Sequence, residues 1–240
     1  FPEKVLAKAT VVVIDEINSY QDTPFELIYD EFEKQLFGNH SLGRLILGTP
    51  ENVNSFTSEG IKAFIDKNYS TDQMVISIVS SIDCEKWFLL AERYFGGYEK
   101  KTSKKQREKI LVRKAEKNIY DRDTYQSHAI IGTMAYGYKD EKKAAFSLLN
   151  NILGGYAMNS YLNMHIREKY GFTYTIESNY TAYSDVGVFS IYAGTDKKYM
   201  DKTLRLINKE LEKFTQNPLA EKTLQKFKQQ MKGQLAISCD

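Results

Sequence analysis

Apolar positions recur at helical spacing from the start of the chain. Val5, Leu6, Ala9, Val13 and Ile17 share one face of a helix predicted over 3–20. The run Val11-Val12-Val13-Ile14 carries strand propensity, but the flanking period and the charges that follow favour helix. Thr23-Pro24-Phe25-Glu26 combines a cap, a first-position proline and a capping-box glutamate. It opens a second helix running to about Phe37 and ending at Gly38-Asn39. Thr49-Pro50 predicts a short helix, and Ser58 caps another reaching about Asn68. Residues 73–82 read as a buried strand, followed by a helix capped by Asp83 and ended near Gly96-Gly97. Further on, strands are predicted near 110–119, 125–136, 172–181 and 186–194. Helices are predicted near 139–153, 157–169, 196–214 and 218–236. The order β-β-α-α-β-β-α-α implies an α+β fold, a mixed sheet packed by helices.

The chain has 240 residues, which suits two subdomains. The charged, core-poor stretch 98–108 marks the boundary between them. The expected division is 1–98, a linker over 99–108, and 109–240. With 17 Tyr and 13 Phe the chain carries enough aromatic area to offset chain entropy. A net charge of +2 argues against nucleic acid or an anionic membrane as partner. The lysines of the linker carry no interleaved aromatics, so a solvated linker fits better than a nucleic-acid tail. No apolar run approaches the ~20 residues of a membrane span, and no signal peptide is present. The expected compartment is therefore the cytoplasm. Phe1-Pro2-Glu3-Lys4 enters helix at once, and the last residues stop while helix is still plausible. Both ends are expected to be cut from a longer protein, which leaves room for a leader ahead of Phe1. Cys84 and Cys239 form no metal-like pair and read as a buried thiol and a tail thiol.

The chemistry is sparse. His40, His128 and His165 are the only histidines, and none shows zinc-ligand spacing. A catalytic zinc takes about three protein ligands and an open position, so these residues read as structural. Gly154-Gly155 is a helix terminator and not a phosphate cradle. Two stretches stand out. In the first, Val13-Ile14-Asp15-Glu16-Ile17 sets an acidic pair inside an apolar helix, ahead of His40-Ser41-Leu42-Gly43-Arg44-Leu45-Ile46-Leu47-Gly48-Thr49. Glu16 there reads either as a metal ligand or as a surface carboxylate. In the second, Leu153-Gly154-Gly155 leads through Asn159-Ser160-Tyr161-Leu162 to Arg167, Gly171 and Tyr174. Taken alone, Arg167 would be a helix-end cation.

Together, in this order and separation, the two stretches resemble the pitrilysin/insulinase family of zinc peptidases, which includes the mitochondrial processing peptidase. The resemblance implies a zinc-dependent metalloendopeptidase acting on peptides or unfolded segments. In the family, two histidines and the general-base glutamate come from an H-x-x-E-H motif, which this chain lacks. A downstream glutamate completes the zinc ligands, and Glu16 matches it. Arg167 and Tyr174 match the family's arginine and tyrosine, which hold substrate backbone and stabilise the tetrahedral intermediate. The resemblance implies Zn2+ in the complete protein, a peptide substrate, and a homodimer or a heterodimer with a related subunit. Ala9 departs from the family, standing where a glutamate supports the site. The chain alone is expected to be inactive. The alternatives are a non-catalytic partner subunit lending the Arg–Tyr half, or a module that kept only the fold.

Overall fold

A computed structural model describes residues 2–102, 107–155 and 157–238. The helices are α1 (Glu3–Gln21), α2 (Pro24–Phe37), α3 (Pro50–Asn54), α4 (Ser58–Asn68) and α5 (Cys84–Phe95). Strand β1 (Ser127–Ala135) and helix α6 (Lys143–Gly154) follow. Next come a π-helical turn (Asn163–Glu168), the strands β2 (Thr173–Ala182) and β3 (Gly187–Thr195), and helices α7 (Met200–Gln216) and α8 (Glu221–Ser238). The chain divides into two units, one of residues 1–19 and 46–109, the other of 20–45 and 110–240. Part of the expected linker, 103–106, lies outside the described residues, as does Cys239.

In the first unit, backbone N–H groups at the helix starts are met by local side chains. Thr49 accepts from Asn52 N at 3.3 Å, Thr57 from Gly60 N at 3.0 Å, and Asp83 from Glu85 N at 2.8 Å. The cap of α4 is thus Thr57, one residue before the predicted Ser58, because its extended backbone aims the hydroxyl into the first turn. The strand expected over 73–82 is absent. Its β-branched residues supply propensity, but a strand exists only as one side of a ladder. Among the described residues no strand lies beside it, and Val75 and Val79 are fully exposed. Cys84, expected to be buried, is exposed. It opens α5 at a turn where the backbone faces solvent.

The second unit holds the sheet, ordered β1-β3-β2 and antiparallel throughout its described strands. The α+β class stands. Strands β2 and β3 form a hairpin, and β1 pairs along the other side of β3, from Ser127↔Thr195 to Ala135↔Gly187. On one face, Ile131, Ile176, Ile191 and Ala193 pack against Leu162, Ile166 and Ile207. Each such side chain fully removed from water contributes roughly 1.5–3 kcal/mol. On the other face, Met134 and Val188 meet Phe32 and Phe37 of α2. Gly132 permits this approach, since a Cβ there would stand 2.5 Å from the Phe32 ring. The central strand β3 is therefore covered on both faces, and nearly all of its residues are buried.

The strand expected over 110–119 is also absent. That segment is held by side chains instead. Gln35 donates to the Glu116 carbonyl at 2.7 Å, and Arg113 donates back to the Gln35 carbonyl at 3.4 Å. Its backbone is committed to a helix surface and not to a ladder.

Candidate functional site

Arg167 lies in the π-helical turn Asn163–Glu168, within a helical segment spanning 161–170. Such turns hold one residue more than the α-helix and are uncommon. Here the wide turn is anchored by Leu162 and Ile166, both completely buried. The buried Asn163 donates to the Met158 carbonyl, which fixes its amide with the oxygen towards Arg167. Arg167 Nη1 donates to that oxygen at 3.4 Å and pairs with Glu168 at 3.5 Å. The pair with Glu168 is half exposed and worth little, so Asn163 is the better-defined partner. Behind this turn, His165 stacks on Tyr161, with ring centroids 4.0 Å apart. Tyr161 donates to the buried Glu210, which also accepts from Lys213 at 2.7 Å. Burial pushes the Glu210 carboxyl up, but Lys213 and Tyr161 outweigh it and hold the group below its ordinary range.

Gly171 ends the segment at φ +70°, with its N–H donating to the Arg167 carbonyl at 2.9 Å. Tyr174 follows at an irregularity of β2. Thr173 pairs with Thr195 and Thr175 with Gly194, so Tyr174 is left without a cross-strand partner. This is a β-bulge, which re-aims a side chain out of the regular pleat. The phenol is half exposed and donates to Asp196 Oδ1 at 2.9 Å. That bond and the charge of Asp196 raise its pKa above the ordinary tyrosine value. Tyr174 and Asp196 line an open cleft of ≈ 360 Å³ with Tyr170, Phe172, Tyr199 and Lys202. Arg167 and Tyr174 thus belong to one unit, each with its own polar partner. Asn163 and Asp196 were not singled out in the sequence. Asp196, between the last residue of a strand and the first of a helix, looks there like an ordinary cap.

Glu16 belongs to the first unit. The apolar helix predicted around the acidic pair does not bury it: both Glu16 and Asp15 are exposed on α1. The apolar stripe that suggested burial inserts only Ile17, the buried residue of this helix, while Val11 and Val12 also face outward. The histidines hold structural positions. His40 accepts from Leu42 N at 3.2 Å, His128 Nδ1 lies 2.7 Å from the Tyr192 hydroxyl, and His165 Nδ1 lies 2.8 Å from the Tyr161 carbonyl. Among the described residues no three His, Cys, Asp or Glu side chains gather as a metal site. None of the described helices is long and apolar enough to cross a membrane.

Comparison with known proteins gives a consistent result. The family model for the "Peptidase M16 inactive domain" matches residues 55–231. The uncharacterized zinc protease YmxG of Bacillus subtilis is 33% identical over 240 residues, covering 100% of this chain and 58% of its own length. An uncharacterized zinc protease of Rickettsia felis is 32% identical over 242 residues, covering 99% of this chain and 57% of itself. Among solved structures, a peptidase M16 inactive domain from Pseudomonas fluorescens superposes with a TM-score of 0.89 at 25% identity, over 97% of this chain and 57% of that one. A protease from Helicobacter pylori shares the fold, with a TM-score of 0.81 at 19% identity over 98% of this chain and 59% of its own. The chain therefore spans less than three fifths of the length of these relatives.

Proposed function

Since the chain belongs to the M16 peptidases, the pitrilysin/insulinase family that its two motifs resemble, we propose that it is part of a zinc-dependent endopeptidase acting on peptides or unfolded segments. Its own contribution is the Arg167–Tyr174 substrate-binding half. The observation that carries this reading is the placement of Tyr174. A residue excused from the ladder by a bulge presents a polar, exposed phenol beside an open cleft. Arg167, aimed by Asn163, has N–H groups for peptide carbonyls. Such groups bind the backbone, so they accept many sequences. They also stabilise an oxygen that gains charge during peptide attack.

The donor set does not fit zinc by itself, because the described residues place no two further ligands beside Glu16. No catalytic step is derived through the metal. We assign Glu16 the role of one zinc ligand, with the others supplied from outside this chain. In the same reading, 1–98 is the later part of one subdomain, 99–108 a linker, and 109–240 most of a homologous second. A homodimer or a related partner chain and a cytoplasmic setting complete it. The test is zinc content and cleavage of labelled casein by the full-length protein, with Arg167→Ala as the variant. The expected result is bound zinc and cleavage that drops at least tenfold in the variant. Full-length protein that holds no zinc and cuts nothing, alone or with a partner chain, removes the reading.

One observation favours a partner-subunit role: Ala9 stands where the family has a supporting glutamate. That role predicts cleavage only when a second, catalytic chain is added.

A further inference from the structure

We propose that Asp196 is the positioning residue of Tyr174: its carboxylate accepts the phenolic O–H hydrogen bond and fixes the ring at the bulge of β2, so that the hydroxyl stands ready beside the cleft. The inference rests on the reading of Tyr174 as a substrate-binding group.

Tyr174 needs such a restraint. It has no cross-strand partner and is half exposed, so neither ladder nor packing sets its rotamer. The bond to Asp196 Oδ1 at 2.9 Å does. Asp196 in turn gives up another role to make it. Its backbone, at φ −64° and ψ 147°, has the extended geometry of a residue capping the turn Lys197–Tyr199, yet its side chain makes no cap hydrogen bond.

Both residues hang from one clamp. The completely buried Thr195 donates from Oγ1 to the Phe172 carbonyl at 2.6 Å, and Thr195 pairs with Thr173 across the hairpin. Asp196 thus follows the clamp on β3 as Tyr174 follows it on β2. A displacement of one strand against the other would break the bond, and this contact prevents it.

The other titratable groups of the cleft are Tyr170, Tyr199 and Lys202. The Lys202 ammonium sits over the rings of Phe172 and Tyr170, 4.7 and 5.7 Å from their centroids. Lys197, next to Asp196 in sequence, pairs with Asp121 at 3.7 Å. A phenol has one proton and two lone pairs. While that proton points to Asp196, the hydroxyl has none left for a peptide carbonyl. To donate instead, Tyr174 must first leave Asp196.

The test labels tyrosine at 13Cζ in the full chain and follows the titration by NMR, with Tyr174 identified by the signal lost in Tyr174→Phe. The expected result is a Tyr174 midpoint above that of ordinary exposed tyrosines, which falls back in Asp196→Ala. An unchanged midpoint in Asp196→Ala overturns the proposal. A second readout is cleavage of labelled casein by the full-length protein. A positioning role predicts that Asp196→Ala raises KM about as much as Tyr174→Phe, that the double variant adds no further loss, and that Asp196→Asn, which keeps an acceptor oxygen, restores most of it. Losses that multiply in the double variant also overturn the proposal. If no variant or parent cleaves, the peptidase reading falls, and the NMR titration still decides whether Asp196 holds Tyr174.

Discussion

Gly171 and Gly154 are constrained by different physics, and substitution separates them. Nothing lies within 4 Å of a Cβ added at Gly171, so Gly171→Ala pays only for its left-handed backbone. The expected loss is about 1–2 kcal/mol, measured by urea unfolding. A Cβ at Gly154 would stand 2.5 Å from Ser178 N. Gly154→Ala must therefore push α6 off β2, at a cost of about 1–3 kcal/mol. Tyr192, nearly inaccessible beneath α2, makes a third test. Burial, helped by the Glu177 charge, pushes its phenol up to about 12. The folded state therefore favours the neutral form. Stability is fully present below the unfolded value of about 10 and is lost as pH climbs to about 12. A thermal melt series across that window should show the decline, and Tyr192→Phe should flatten it. At this scale Arg167 and Tyr174 became candidates only through the family resemblance, because an arginine near a helix end and a tyrosine in a strand are common. Asp196 was not legible, since its contact with Tyr174 depends on a bulge that no residue type announces.

Elements were legible where their own residues satisfy them. Helices α2 and α5 announced themselves through proline, aspartate and glycine at their ends. The strands β1, β2 and β3 lie within a residue or two of the segments expected near 125–136, 172–181 and 186–194. Residues 73–82 and 110–119 carry equally good strand residues but form no ladder, because pairing is a property of two segments and propensity of one. The first stays exposed; the second gives the Glu116 carbonyl to Gln35 and the Arg113 side chain to the Gln35 carbonyl on α2. This difference predicts unequal sensitivity to truncation. Ile207→Ala, at a completely buried position of α7, should cost about 2–5 kcal/mol. Val79→Ala should cost less than about 0.5 kcal/mol, since its side chain lies in water. Urea midpoints of the two variants check the contrast.

For the whole molecule, the exposed apolar run Met74, Val75, Ile76, Ile78 and Val79 is the largest liability. Short β-prone segments of this kind associate edge to edge. The chain should self-associate in sedimentation at micromolar concentration, and the double change Val75→Lys, Val79→Lys should return it to monomer. Zinc should not bind the isolated chain tightly, so metal analysis after dialysis should find far less than one equivalent. The π-helical turn has a genetic consequence. Loss of the His165 codon would let the segment relax to ordinary α-helix while keeping the buried Leu162 and Ile166. The helix beyond the deletion would keep its phase, because the π-turn holds the one residue in excess, whereas the same loss inside α7 would rotate everything after it by about 100°. For the gene, an in-frame three-base deletion here is a lighter blow than the same deletion in an ordinary helix.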